Sequence, residues 1–152
     1  MVWFANPAGG TILKNMRDLG MDIPVVAPLS MATQPLVEVA GEAAEGVVVQ
    51  AQLAADEPQE RSQAFVDAYT KEYSESPETF DAVGHDLVMI LAEALKNVDD
   101  ASDPAQVRDA LESVSYEGAG TVVHYSEAEH EPDAEAIVMT EVKGGKFVQS
   151  AG

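Results

Sequence analysis

The 152-residue chain contains no cysteine, which excludes disulfides, thiolate nucleophiles and cysteine-ligated metal. Basic residues are scarce as well: 8 Lys and Arg stand against 27 Asp and Glu, a formal net charge of −19. Such a surplus repels nucleic-acid phosphates and anionic lipid, so neither is an expected partner. It is also the composition of a solvated acidic surface suited to high salt, where cations screen self-repulsion. Long apolar runs are lacking; none approaches the ~20 residues that span a bilayer. The amino terminus has no basic segment followed by a continuous hydrophobic one. The chain as given is therefore not expected to be exported by its own signal, and reads as cytoplasmic or as a piece of something larger. No phosphate loop, Ser-His-Asp constellation or paired-carboxylate pattern occurs, so no catalytic residue is expected and the chain reads as a non-enzyme.

What is present is an alternation of short apolar runs and helical stretches, in a chain long enough for one domain with a core. Val2–Phe4, Ile23–Val26 and Gly46–Val49 predict three strands, the first two each followed by a helix, and this order implies a parallel sheet. The first helix is expected over Gly10–Leu19, with Ile12, Leu13, Met16 and Leu19 on one stripe and Gly20 as a left-handed cap. A short helix is expected over Pro35–Ala40. Val47, Val48 and Val49 read as a strand covered on both faces. The middle of the chain is helical: Phe65, Tyr69 and Tyr73 recur on one face, Phe80 to Leu95 forms a longer amphipathic helix, and Asp103 and Pro104 read as cap and first residue of another. A strand over Thr121–Tyr125 ends this block. Ala136–Val142 and Phe147–Val148, around Lys143 to Lys146, predict a β-hairpin.

The stretches GTILKNMRDLG (10–20), AGEAAEGVV (40–48), Phe65 to Tyr73, FDAVGHDLVMILAEAL (80–95), YEGAGTVVHY (116–125) and VKGGKFV (142–148) resemble the type I periplasmic solute-binding proteins of the branched-chain amino-acid transporter class, in their carboxyl-terminal part. The resemblance implies an α/β fold: part of two lobes joined by crossover strands, a parallel sheet with flanking helices and a C-terminal hairpin. It assigns residues 1–52 to the second lobe, 53–131 to the first and 132–152 to the second again. It implies a small-molecule solute (an amino acid, amide or aromatic acid), an ABC permease as partner, no cofactor, and a periplasmic or membrane-anchored extracellular location for the parent. The alternative is a ligand-sensing regulatory domain of the same fold. A sheet without its neighbouring strands leaves bare edges and apolar faces, so homo-oligomerisation is expected.

Ligands in such sheets sit beyond the carboxyl ends of the strands. The candidates are Asn6, Pro7 and Ala8 after the first strand and Leu29, Ser30 and Met31 after the second, with Gln50, Ala51, Gln52 and Leu53 as a hinge. Asn6 and Ser30 can hydrogen-bond a solute; Leu29 and Met31 can supply apolar wall. Asn6, Pro7 and Gly9 serve equally well as a strand-to-helix turn. Amino-acid-binding relatives place an acidic residue near Leu29; the loop here has none, which argues against an α-amino acid and leaves amides, urea or aromatic acids open. His124 and His130 with Glu127 and Glu129 match no standard metal-ligand spacing, so no metal site is expected. His85 reads as a packed or partly exposed side chain, and Asp81 and Asp86 as helix-start carboxylates suited to the macrodipole.

Overall fold

A computed structural model describes residues 8–56 and 58–150. The strand expected over Val2–Phe4 and the candidates Asn6 and Pro7 lie outside the described residues. Helix α1 (Ala8–Asp18) buries Leu13 and packs Met16 against the core; the chain then turns at Gly20, whose φ is +73°. Strand β1 (Val26–Ala27) is shorter and later than the expected Ile23–Val26. Pro24 explains the late start, because it has no N–H to give to a ladder. A turn of 3-10 helix (Leu29–Met31), helix α2 (Gln34–Ala40) and a second 3-10 turn (Gly41–Ala44) lead to β2 (Val48–Ala51).

β1 and β2 are parallel, pairing Val26 with Val48 and Ala27 with Val49. The sheet continues in sequence-distant strands: β5 (Val138–Lys143) lies antiparallel to β2, and β6 (Lys146–Gln149) antiparallel to β5, giving the order β1-β2-β5-β6. The expected hairpin is thus present. Gly144 and Gly145, at φ +58° and +75°, make its two-residue turn, a conformation that favours glycine at both positions. Their N–H groups donate to the Glu45 carboxylate at 3.0 and 2.9 Å, which ties the turn to the loop before β2.

α1 and α2 cover one face of this sheet. Leu13, Leu36, Val37 and Ala40 pack there against Val25, Val47, Val49 and Val142, each large side chain contributing about 1.5–3 kcal/mol on burial. The expectation that Val47 to Val49 is covered on both faces is corrected. Val47 and Val49 are fully buried while Val48 is only half-buried, and on the other face Val26 and Met139 are 46% and 40% exposed. That face is less covered than the first, so burial follows the two-residue alternation of a strand with one buried face.

The middle block holds α3 (Glu60–Tyr73), α4 (Thr79–Leu95) and α5 (Pro104–Leu111). Asp103 caps α5 as expected, accepting from the Ala105 N–H at 2.9 Å. A small antiparallel pair, β3 (Ser115–Glu117) with β4 (Val122–His124), closes the block. β3 was not expected. Its three residues are exposed or half-buried and carry no apolar pattern; only their pairing with β4 makes them a strand. α4 buries a single line of residues, Ala82, Asp86, Ile90 and Ala94, and leaves Leu87, Val88, Leu91 and Leu95 exposed. One core draws on residues between Leu13 and Ala54 with Val138 and Val142; the other two draw on residues between Leu53 and Val123.

Candidate functional site

The two groups of residues meet where α4 begins. Glu78, its N-cap, forms a capping box: the Glu78 N–H donates to Asp81 Oδ2 at 2.8 Å, and the Glu78 carboxylate accepts from the Asp81 N–H. The same carboxylate reaches across 44 residues to accept from the Gln34 N–H at 2.7 Å, where α2 starts. Next to it the Gln52 N–H donates to the buried Thr79 hydroxyl at 2.8 Å. Burial pushes the Glu78 carboxyl above its ordinary value; the Gln34 N–H opposes this, and Asp81, Glu38 and Glu75 add to it. A carboxyl raised this way takes up a proton more readily than a solvated one.

Beside this junction lies a groove of about 350 Å³, within the size range of small-ligand sites. Ala51 and Leu53 at the carboxyl end of β2 form one wall, and Thr140, Phe147 and Val148 of β5 and β6 another. Ala32 and Gln34 follow β1, and Ser76 to Thr79, the segment leading into α4, close the groove. Its charged groups are Glu78, Asp56 and Lys146. Asp56 accepts from the Gln149 N–H at 3.2 Å, and among the described residues Lys146 makes no ion pair. Apolar walls with a few charges of both signs can hold a small polar solute by its ends and desolvate its body.

The structure places the expected residues unevenly. Ala8 is exposed at the start of α1. In the loop after β1, Leu29 is half-buried, Ser30 exposed, and Met31 fully buried against Gly9, so close that a Cβ there would come within 2.5 Å of the Met31 methyl carbon. Of the hinge residues, Ala51 and Leu53 are buried and reach the groove; Gln50 and Gln52 are half-buried, and Gln52 contributes its backbone N–H to Thr79. Glu78, Thr140, Lys146 and Phe147 were missed. The spacing of Glu78 and Asp81 before an apolar run was a legible helix-start signal; their approach to Gln34 was not.

Asp86 is corrected from its reading as a helix-start carboxylate. It is fully buried in the third turn of α4 and accepts from the N–H groups of Ala119, Gly120 and Thr121 at 3.1, 2.7 and 2.8 Å. His85 Nδ1 lies 3.1 Å from it, and its ring stands 5.1 Å from Phe65, a partly exposed packed histidine. His124 contacts Asp133 at 2.5 Å, and no metal-holding group of three or more His, Asp or Glu occurs among the described residues. Nor is any described helix long and apolar enough to cross a membrane.

Comparison with known proteins matches these features to one family. The sequence profile described as periplasmic binding protein matches residues 1–146. A leucine-binding protein of Thermotoga maritima superposes with a TM-score of 0.84 at 21% identity, covering 98% of this chain and 42% of its own. The branched-chain amino-acid transporter substrate-binding protein of Streptococcus pneumoniae, solved with isoleucine, gives 0.77 at 25% identity, covering 96% and 41%. An ABC transporter substrate-binding protein of Desulfitobacterium hafniense, solved with leucine, gives 0.77 at 28%, covering 96% and 41%. No curated protein matches. The chain therefore spans about two fifths of the length of these solved relatives. With its mixed sheet, flanking helices and carboxyl-terminal hairpin, it belongs to the periplasmic binding protein family, with part of the type I fold.

Proposed function

We propose that this chain is the carboxyl-terminal part of the solute-binding component of an ABC importer, and that the groove at the carboxyl end of β2 is its share of the solute cleft. The observation that carries this reading is the junction itself. Glu78 and Thr79 hold α4 against Gln34 and Gln52, so the groove lies between the core built on the sheet and the cores built on α3, α4 and α5. In this reading residues 1–52 and 132–152 belong to one lobe and 53–131 to the other, and Gln50 to Leu53 cross between them. The chain binds rather than catalyses, delivers to a membrane permease, and works outside the cytoplasmic membrane. The relatives solved with leucine and isoleucine support a small amino-acid-like solute.

The test is residue-resolved NMR of the isotopically labelled chain during titration with leucine, isoleucine and isobutyramide. Because affinity in such clefts depends on enclosing most of the ligand, the expected result is weak, saturable binding at millimolar concentration. Shifts should centre on the amides of Gln34, Gln52 and Thr79. Shifts absent from those three amides for every solute would overturn the proposal.

A further inference from the structure

A second cavity, of about 620 Å³, shares no lining residue with the groove. Phe65, Tyr69 and Tyr73 of α3 form its floor as a continuous row, with ring centroids 5.7 and 4.6 Å apart. Tyr116 and His85 add aromatic wall on other sides. The cavity also contains Arg61, and this residue is bonded in an unusual way. Its Nε donates to the Gly118 carbonyl at 3.1 Å and its Nη1 to the Gln59 side-chain oxygen, both neutral acceptors. Its Nη2 is buried with no partner, the one such side-chain nitrogen or oxygen among the described residues.

In a chain with 27 carboxylates, a half-buried guanidinium left without any ion pair among the described residues calls for an explanation. Glu72, Asp81 and Glu117 line the same cavity, and none of them forms an ion pair with Arg61. Removing a guanidinium from water without a counter-charge is costly, and a single carboxylate in fork geometry restores most of the loss. The aromatic row beside it suits a flat apolar body, because a guest ring can stack edge-to-face or offset on side chains that line the cavity. The three carboxylates around the cavity oppose any ligand with more than one negative charge.

We infer that the Arg61 cavity is a binding site for a monocarboxylate with an aromatic or apolar body, its carboxylate on the Arg61 guanidinium, which turns its buried Nη2 into the cavity to meet it, and its body on Phe65 and Tyr69. The carboxylate can belong to a free acid or to an Asp or Glu side chain of a polypeptide segment. This site is separate from the proposed solute groove and does not depend on it.

The experiment is NMR titration of the labelled chain with benzoate, inorganic phosphate, benzyl alcohol and the blocked peptide acetyl-Leu-Asp-Leu-amide. Benzoate should bind saturably, shifting the Arg61 Nε–H and the ring protons of Phe65 and Tyr69, while phosphate and benzyl alcohol should not. Binding by the peptide alone, with the same shifts, would support the site with a polypeptide carboxylate as its source. Arg61→Gln should weaken benzoate on the order of tenfold or more, as loss of a charge-assisted pair does. Arg61 also holds Gly118, so Glu72→Gln serves as a second variant: it removes an opposing charge at an exposed position and should tighten benzoate several-fold. No saturable benzoate or peptide binding would overturn the inference. So would binding by phosphate equal to benzoate, or benzoate affinity unchanged in both variants.

Discussion

Replacing Asp86 by alanine should be among the most destabilising single changes in the chain. The carboxylate is fully buried and is the acceptor for three consecutive backbone N–H groups, those of Ala119, Gly120 and Thr121. Each buried donor left without an acceptor costs about 1–3 kcal/mol. Partial relaxation of the 118–121 loop toward water lowers the sum to roughly 3–6 kcal/mol, a large share of the about 5–15 kcal/mol that holds a typical domain folded. Asp86→Asn keeps the shape and one acceptor oxygen, which can serve the Gly120 and Thr121 N–H groups; the Ala119 N–H then meets a second donor, for about 1–3 kcal/mol, while the Tyr116 hydroxyl and His85 Nδ1 on the same side can turn to accept from the amide. Gly118 provides an internal check. A Cβ there would lie 2.3 Å from the Asp86 carboxyl carbon, so Gly118→Ala should cost about 1–3 kcal/mol by overpacking. In the Asp86→Ala background the obstructing atoms are gone, and the same change should cost much less. Urea denaturation of the four proteins measures this cycle. Asp86→Ala within about 1 kcal/mol of wild type, or strictly additive costs in the cycle, would refute the reasoning.

Three further outcomes are expected. The hydrogen bond to Asp133 raises the pKa of His124 above 6.5; desolvation opposes this, and the charges of Asp133, Glu117 and Glu135 add to it. Stability from this pair is therefore fully present below pH 6.5 and lost as pH rises through the raised value. The His124 ring-proton titration should have its midpoint above 6.5 in wild type and nearer 6.5 in Asp133→Asn, and a wild-type midpoint at or below 6.5 would contradict it. With net charge −19, the melting temperature should rise between 0.1 M and 1 M salt as the Debye length shrinks from about 10 to about 3 Å; an unchanged or lower value would show the charges to be compensated locally. Finally, the bare α4 face of Leu87, Val88, Leu91 and Leu95 should drive self-association at micromolar concentration. Sedimentation should report a dimer or larger for wild type and a monomer for Val88→Lys with Leu91→Lys, and a compact wild-type monomer would rule it out.

The local elements were legible because their causes are local. Asp103 followed by Pro104 announces α5, Gly144 and Gly145 announce the hairpin turn, and Gly20 marks the end of the first helical stretch, since caps and turns need particular backbone angles that few residues supply. Amphipathic spacing likewise placed α3 and α4. Composition alone set the charge and excluded cysteine chemistry. The tertiary structure decided what depends on residues far apart in the chain. β3 exists only because β4 pairs with it, and Val48 is half-buried while Val47 and Val49 are buried because the two faces of the sheet are covered unequally. Asp86 is a loop anchor because residues 119–121 fold over it, 33 to 35 positions away. Glu78 meets Gln34 across 44 positions, and Lys146 and Phe147 reach the groove only because the hairpin returns beside β2. Periodicity reports which side of an element is apolar; which partner meets that side, and which polar atoms close together over it, is fixed only when the chain has folded on itself.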